Sequence, residues 1–287
     1  MYFVKALGCV EIIIGGLVVN NTVISFQNNN GYRLVGSQNS EQERDESVER
    51  MGSLNTIHLV DGEKGGVGKS LFAKVMLEYC KKNQFDSRIG FMEADLANPD
   101  VGKIYFGKNG YETLEFSLDE SRRSNADRLF ELAQEKSVIV NLPSNISAAV
   151  TDWIERNRVV ELGKQQNVRV CKWFLCTGSH FSLEHFKKSV QTFRGDIVHV
   201  LVRNQIIFDD WSFIKNDVEL NELIKDNKVL TMDFPKLTFP EMNKVEAKQS
   251  AFHQALKDSD FTVLSKQRLN NFLEATYNEF DRLRLLP

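Results

Sequence analysis

One stretch decides the fold of this chain: Gly62-Glu63-Lys64-Gly65-Gly66-Val67-Gly68-Lys69-Ser70. An apolar run at 56–60 precedes it, and a segment with helical spacing of apolar residues follows at 71–82. A strand, a glycine-rich loop, Gly-Lys-Ser and a helix are the context of a phosphate-binding P-loop. Glycines let backbone N–H groups turn inward, and the helix directs its positive dipole end at the phosphates. The stretch therefore predicts a nucleoside triphosphate site.

Two side chains of the loop have predicted roles. Lys69 is expected to reach the β- and γ-phosphates, and the hydroxyl of Ser70 to bind Mg²⁺. The strict pattern G-x-x-x-x-G-K-[ST] requires glycine where Glu63 stands, so the loop has the deviant form K-G-G-x-G-K-[ST] with an extra lysine at Lys64. The residues expected to contact the nucleotide are Glu63, Gly65, Gly66, Val67, Gly68, Lys69, Ser70 and Leu71.

This loop resembles that of the MinD/ParA family of P-loop ATPases, also called the CobQ/CobB/MinD/ParA family. The resemblance implies that ATP and Mg²⁺ are the ligands and that the protein forms a homodimer on ATP binding. It also implies that Lys64 reaches across the dimer interface to the nucleotide of the partner subunit, where a cation would stabilise the developing charge. The alternative is that Lys64 only caps a surface turn.

The resemblance assigns further residues around the triphosphate. Asp95, after the second strand, matches the residue that orients the attacking water, and Glu93 matches an acidic position near Mg²⁺. Asn141 stands where the family has the Walker B aspartate. Because an amide orients a metal-bound water but adds no negative charge, we expect weak Mg²⁺ binding and, at most, a weak ATPase. An Asx-turn is the alternative role for Asp95.

The base is expected to lie near two later loops. Asn204, just past an apolar strand at 197–202, matches the family position whose amide reads the edge of adenine. A turn-forming role for this asparagine is the alternative. The family also wraps the base with the loop after the next strand, which is here at 234–237.

The alternation of apolar strands and amphipathic helices predicts an α/β fold, a three-layer P-loop NTPase with a mostly parallel sheet covered by helices on both faces. The candidate residues all lie at strand ends or just after them, where such sheets bind ligands. Residues 102–120 are glycine-rich and irregular, and we interpret them as a flexible lid.

The chain divides into two parts by composition. Residues 54–287 are predicted to form the nucleotide-binding domain, and residues 1–53 a poorly ordered or non-domain extension, because 27–53 are polar and low in apolar residues. A β-hairpin of 10–18 with 22–26 is the alternative for the start of the chain. The apolar run at 6–19 is too short for a membrane span of about 20 residues.

Composition excludes several classes of protein. The net charge of −3 and the pI near 6.0 give no general attraction to DNA or to anionic membranes. The four cysteines are scattered without a C-x-x-C pair, so neither a zinc site nor a disulfide framework is predicted. A cytoplasmic protein with reduced thiols is the expectation. The final helical segment mixes both charges, which is typical of a helix packed on its own core, so no membrane binding is expected.

Three functions remain open on these patterns. The first is an ATP-dependent dimerisation switch that acts on a partner protein or DNA in plasmid partition, mobilisation or cellular positioning, with the loop most similar to the plasmid mobilisation and stability branch (MobD/StbB-like). The second is a nucleotide-binding module without useful turnover, which Asn141 favours. The third is an ATP-dependent small-molecule phosphotransferase with 102–120 as its lid.

Overall fold

The computed structural model describes residues 54–62 and 64–287 in full and the backbone of three short strands before them. These strands are β1 (Glu11–Ile13), β2 (Gly16–Val19) and β3 (Thr22–Ser25), which form an antiparallel sheet of their own. Residues 1–51 and 52–287 are separate compact units. Most of 1–53 lies outside the described residues, so the predicted extension stays a prediction.

The second unit contains a parallel sheet of seven strands. Its order is β10-β9-β8-β4-β7-β5-β6, and every neighbouring pair is parallel. The strands are β4 (Asn55–Asp61), β5 (Ile89–Glu93), β6 (Glu112–Thr113), β7 (Ser137–Asn141), β8 (Val168–Cys176), β9 (Val198–Asn204) and β10 (Leu230–Phe234).

Helices connect the strands and cover both faces of this sheet. They are α1 (Lys69–Lys82), α2 (Asp100–Phe106), α3 (Asp127–Glu135), α4 (Ser147–Arg156), α5 (Val159–Gln166), α6 (His180–Phe193), α7 (Val218–Asp226), α8 (Phe239–Ala247), α9 (Phe252–Ala255) and α10 (Val263–Leu283). Two 3₁₀ turns lie at Glu120–Ala126 and Ser212–Asn216.

The two faces of the sheet have different cores. On one face, Ile57 and Leu59 of β4 pack with apolar residues of α3, α4 and α5, and next to them Phe174 of β8 packs on α6. On the other face, Phe72 of α1 meets Trp173 of β8 at 5.7 Å between ring centroids. Alternate residues of each central strand thus face opposite helical layers, as the period of two in a strand requires. The predicted three-layer α/β fold is confirmed.

The strand order places the loop at a switch point. From β4 the chain passes to β5, and β7 then inserts between these two strands before β8 joins the opposite side of β4. In a parallel sheet such a reversal opens a crevice at the carboxyl ends of the strands, which is where ligands bind. The glycine-rich loop leaves β4, the central strand, directly into this crevice.

The segment interpreted as a lid differs from the prediction. It contains helix α2 and the edge strand β6, which pairs with β5 in the sheet. Leu114 and Phe116 are buried in the core of the adjacent face. This part of the chain is built into the sheet, so it does not provide the lid that the phosphotransferase hypothesis requires.

Across the described part of the chain, no helix combines the length and apolar character needed to cross a membrane.

Candidate functional site

The loop between β4 and α1 has the backbone geometry of an anion cradle. Gly66 and Gly68 have φ angles of 75° and 91°, in the left-handed region where a Cβ is strained. A Cβ on Gly68 would also lie 3.1 Å from Nδ2 of Asn204. Gly68 is the N-cap of α1, so the first N–H groups of this helix face the same space.

Lys69 is the first residue of α1, and its side chain turns back into the loop. Its ammonium donates to the carbonyl oxygens of Gly62 at 3.0 Å and of Lys64 at 3.1 Å, and it lies 3.4 Å from Oγ of Ser144. The side chain is therefore folded back along the loop, and it presents its charge where the helix dipole also favours an anion. Ser144, after β7, is a hydroxyl that the sequence analysis did not single out.

The three residues predicted to hold Mg²⁺ lie together. Asn141 is the register neighbour of Glu93 on β5 and of Val60 on β4. Its Nδ2 donates to Oε1 of Glu93 at 2.8 Å and lies 3.4 Å from Oγ of Ser70. Its Oδ1 is buried and accepts no hydrogen bond from the described residues. A buried acceptor without a partner is costly, and it fits a ligand or a metal-bound water at this point.

Glu93 is a fully buried carboxyl. Burial raises its pKa from 4.5 to about 7, although hydrogen bonds from Asn141 and from the N–H groups of Gly102 and Asp95 act in the opposite direction. The carboxyl, the amide oxygen and the Ser70 hydroxyl are the hard oxygen donors that Mg²⁺ prefers. The described residues contain no group of three or more His, Cys, Asp or Glu that could hold a metal without help. The donor set fits a metal that is also held by phosphates and water.

The loop after β5 is tied to its neighbours. The N–H of Asp95 donates to Oε1 of Glu93, and its Oδ1 accepts from the N–H of Asn98. Asp95 therefore forms the Asx-type turn that was its alternative role, while also lining the cleft. Asp100, the first residue of α2, pairs with Lys74 of α1 at 2.6 Å. This ion pair anchors the loop to the helix that follows the P-loop.

The side-chain amide of Asn204 is hydrogen-bonded to the backbone of two loops. Its Nδ2 donates to the carbonyl oxygen of Val67 at 2.9 Å, and its Oδ1 accepts from the N–H of Ile206 at 2.9 Å. The residue thus joins the end of β9 to the P-loop. Reading adenine needs both an acceptor and a donor, and one amide N–H is left over, so the adenine role stays a prediction.

A cleft of about 520 Å³ opens over the loop, within the usual range for small-molecule sites. One end is polar, with Ser70, Asp95 and Asp100. The other end has an apolar wall built from the loops after β9 and β10 and from the helices that follow: Ile206, Ile207, Leu237, Met242, Val245 and Phe252. The sequence analysis predicted the loops after β9 and β10 as neighbours of the base, but not the residues of α8 and α9. The polar end suits a triphosphate, and the apolar wall suits a base.

Two predicted site residues are not among the described residues that line the cleft. Lys64 is exposed, does not line the cleft, and has its ammonium 4.5 Å from the ring centroid of Phe181 at the start of α6. Glu63 lies outside the described residues, so its predicted contact with nucleotide stays a prediction. The trans role of Lys64 likewise stays a prediction, since it needs a second subunit.

The sequence analysis missed charged residues buried beneath the site. Lys172 stands in the middle of β8, where its neighbours from Val170 to Cys176 are apolar, and it pairs with Asp61, the last residue of β4, at 2.9 Å. Lys74 occupies a buried position of α1. A lysine within an apolar strand was the signal available, because such a charge requires a partner.

Comparisons with known proteins add a distant relative. No protein-family model matches the chain. The chain is 27% identical over 209 residues to protein MobD from Acidithiobacillus ferrooxidans, and the alignment covers 71% of this chain and 87% of MobD. A crystal structure of the hydrogenase maturation factor HypB from Archaeoglobus fulgidus covers 74% of this chain and 100% of that chain with 13% identity and a TM-score of 0.34, which is too low to bear on the fold. The sheet order, the glycine-rich loop and the similarity to MobD together support a P-loop NTPase.

Proposed function

We propose that the protein is an ATP-binding switch that dimerises on Mg-ATP, hydrolyses it slowly and acts on a partner protein or DNA. The observation that supports it best is the cleft lined by the P-loop with Lys69 and Ser70, behind which Asn141 and Glu93 are buried next to Ser70. The similarity to MobD favours the plasmid mobilisation and stability branch, with partition and cellular positioning as related roles. A protein that works on ATP in this way is expected in the cytoplasm.

Different residues in and behind the cleft would bind the phosphates, the metal ion and the base. The loop N–H groups and Lys69 would hold the phosphates, because charge-assisted hydrogen bonds to oxyanions are strong. Ser70, Glu93 and Asn141 would hold Mg²⁺, which when bound neutralises charge between the phosphates. The apolar wall would exclude water from the base. ATP rather than another nucleotide is taken from the resemblance of the loop.

Slow turnover follows from two features of the site. Asn141 adds no negative charge beside the metal, and Glu93 is the buried carboxyl that could supply it. Asp95 is close to the polar end of the cleft but has one oxygen engaged by the N–H of Asn98. The same features favour a second candidate, a nucleotide-binding module that has no useful turnover.

Dimerisation is supported by the surface around the cleft. Lys64 is exposed beside the loop, where it could meet a second subunit. Three exposed apolar residues lie on loops or helix starts that border the site: Leu96, Phe181 and Ile207. Exposed apolar groups around a charged site are what a subunit interface would cover.

The test is the solution mass of the full-length protein in Mg-ATP and in Mg-ADP, measured by light scattering after sizing. We expect a dimer only in ATP. Lys64→Ala should remain a monomer in ATP while it still binds the nucleotide by calorimetry, because Lys64 does not line the cleft of its own subunit. Lys164→Ala, an exposed lysine on α5, is the matched control and should dimerise like the wild type.

The outcomes separate the parts of the proposal. Absence of ATP binding by the wild type contradicts nucleotide binding as a whole. ATP binding with a monomer in both nucleotides contradicts the switch. A stable dimer that does not release phosphate over many hours would favour the module without turnover.

A further inference from the structure

A chain of buried polar groups runs from β9 and α6 through β8 to the end of β4, where the P-loop begins. Nε2 of His199 on β9 lies 3.1 Å from Oγ of Ser189 on α6, and this oxygen accepts from Nζ of Lys172 on β8 at 3.1 Å. Nζ of Lys172 then meets Oδ2 of Asp61 at 2.9 Å. Because the ammonium can only donate, the Ser189 hydroxyl is left to donate to the histidine. Burial and the nearby Lys172 lower the pKa of His199 to about 3, so its ring is a neutral acceptor.

The chain continues into the P-loop. Oδ1 of Asp61 accepts from the N–H of Gly62 at 2.7 Å, the shortest link of the series. The carbonyl oxygen of Gly62 in turn accepts from Nζ of Lys69 at 3.0 Å. The carboxylate of Asp61 is thus two hydrogen bonds away from the loop lysine.

Gly62 is fixed from the remaining sides by packing. A Cβ at this position would lie 2.7 Å from Cγ2 of Val67 and 3.1 Å from the carbonyl oxygen of Leu175. Gly62 is therefore packed between the loop and β8. The Asp61 carboxylate fixes the orientation of the Asp61–Gly62 peptide, because it accepts a hydrogen bond from the N–H of Gly62. A change in that orientation would move the carbonyl that holds Lys69.

Stability does not explain why two charges lie here. The side chains of Lys172 and Asp61 are 0% and 4% exposed, and apolar residues of similar volume are often as stable as a buried ion pair. The ion pair instead fixes the orientation of the Asp61 side chain, because the Lys172 ammonium holds the carboxylate against the N–H of Gly62.

We propose that Asp61, whose buried carboxylate is paired with Lys172, is a positioning residue for Lys69: it fixes Gly62, whose carbonyl holds the ammonium that meets the triphosphate. The inference rests on the proposed binding of ATP in the cleft, and it adds to that site a residue that never touches the ligand.

The test compares two double variants of the full-length protein that both lose the buried charges. Asp61→Asn with Lys172→Met keeps an acceptor oxygen for the N–H of Gly62, whereas Asp61→Leu with Lys172→Met removes it. ATP affinity in Mg²⁺ is measured by calorimetry, and Tm by thermal unfolding. We expect the asparagine variant to bind ATP within about threefold of the wild type and the leucine variant at least about tenfold more weakly, at similar Tm, because a lost hydrogen bond of this kind changes an equilibrium by about a factor of ten.

Two further variants keep the comparison interpretable. Lys172→Met alone should lower Tm by about 10 °C, because it leaves a buried carboxylate without its cation. Thr276→Val removes another buried polar group, on α10, and should leave ATP affinity unchanged. If the leucine variant does not fold, Asp61→Val, which suits a strand, takes its place in the pair.

The result that overturns the inference is equal ATP affinity in the two double variants at matched Tm, because the pair would then be structural only. Absence of ATP binding by the wild type is a different result, and it contradicts the proposed function instead.

Discussion

At the scale of single residues, the most informative side chain is Asn141. It lies between two strands, opposite Glu93, and its amide satisfies one oxygen of a carboxyl that water does not reach. A carboxylate in its place would face Glu93 directly, and two like charges in contact do not both ionise without a cation between them. The asparagine therefore avoids repulsion with Glu93 when no metal is bound. It also supplies no negative charge to attract Mg²⁺.

Asn141→Asp should raise ATP turnover about tenfold, which corresponds to about 1.4 kcal/mol of added transition-state stabilisation. Without Mg²⁺ the same variant should unfold at lower temperature than the wild type. Steady-state phosphate release and thermal unfolding in EDTA measure the two effects. Asn278→Asp, the same change on an exposed residue of α10 away from the cleft, is the control and should change neither. A fall in turnover at unchanged ATP affinity would contradict this role for Asn141.

At the scale of elements, the site depends on how β9 meets the P-loop. The residue that joins them is Asn204, which holds the carbonyl of Val67 and the N–H of Ile206. A residue that positions the loop affects every ligand with a triphosphate, whereas a residue that reads adenine affects only ligands with that base. The two roles can be separated by the choice of ligand.

Asn204→Ala should weaken ATP, GTP and inorganic tripolyphosphate to a similar extent, by about tenfold, because it removes hydrogen bonds that hold the loop. Binding is measured by calorimetry for the three ligands. Asn227→Ala, at the end of α7, removes a comparable amide-to-backbone bond far from the loop and should have no effect. Unchanged affinity for tripolyphosphate together with weaker ATP would instead support the adenine-reading role.

At the scale of the whole molecule, buried titratable groups couple stability to pH. Burial lowers the pKa of His58 and of His199 from 6.5 to about 3, so the unfolded chain takes up protons below pH 6.5 that the folded chain does not. These histidines destabilise the fold as the pH falls from 6.5. Glu93 acts in the opposite sense, because its folded pKa of about 7 lies above the ordinary 4.5. Its contribution to stability is complete below pH 4.5 and is lost as the pH rises through 7.

Glu93→Gln isolates the pH-dependent contribution of Glu93 to the free energy of unfolding, since glutamine resembles the protonated acid and does not titrate. The free energy of unfolding of the wild type relative to the variant should fall by about 2.5 kcal/mol between pH 5 and pH 8 in EDTA. Urea unfolding at several pH values measures it, and the histidine contributions cancel in the difference. The exposed Glu155→Gln serves as the control and should run parallel to the wild type. A difference for Glu93→Gln that does not vary with pH would contradict the raised pKa.

The amino-acid sequence by itself determined the class of fold and the position of the loop. The order of strands and helices follows from apolar periodicity, and the loop geometry from glycines at positions such as Gly66 and Gly68, whose φ angles are positive. These are local properties, so a short window of sequence contains them. The resemblance of the loop to the MinD/ParA family also assigned Ser70, Glu93 and Asn141 to one metal site, and the positions of Glu93 and Asn141 at strand ends agreed with that assignment.

Only the tertiary structure decided how side chains from distant strands meet. The insertion of β7 between β4 and β5 sets Asn141 against Glu93, and the register of β8 beside β4 brings Lys172 to Asp61. The segment that was interpreted as a lid became a helix and an edge strand because β5 had an unpaired side. Strand order, register and burial depend on contacts between residues far apart in sequence, and local periodicity does not specify them.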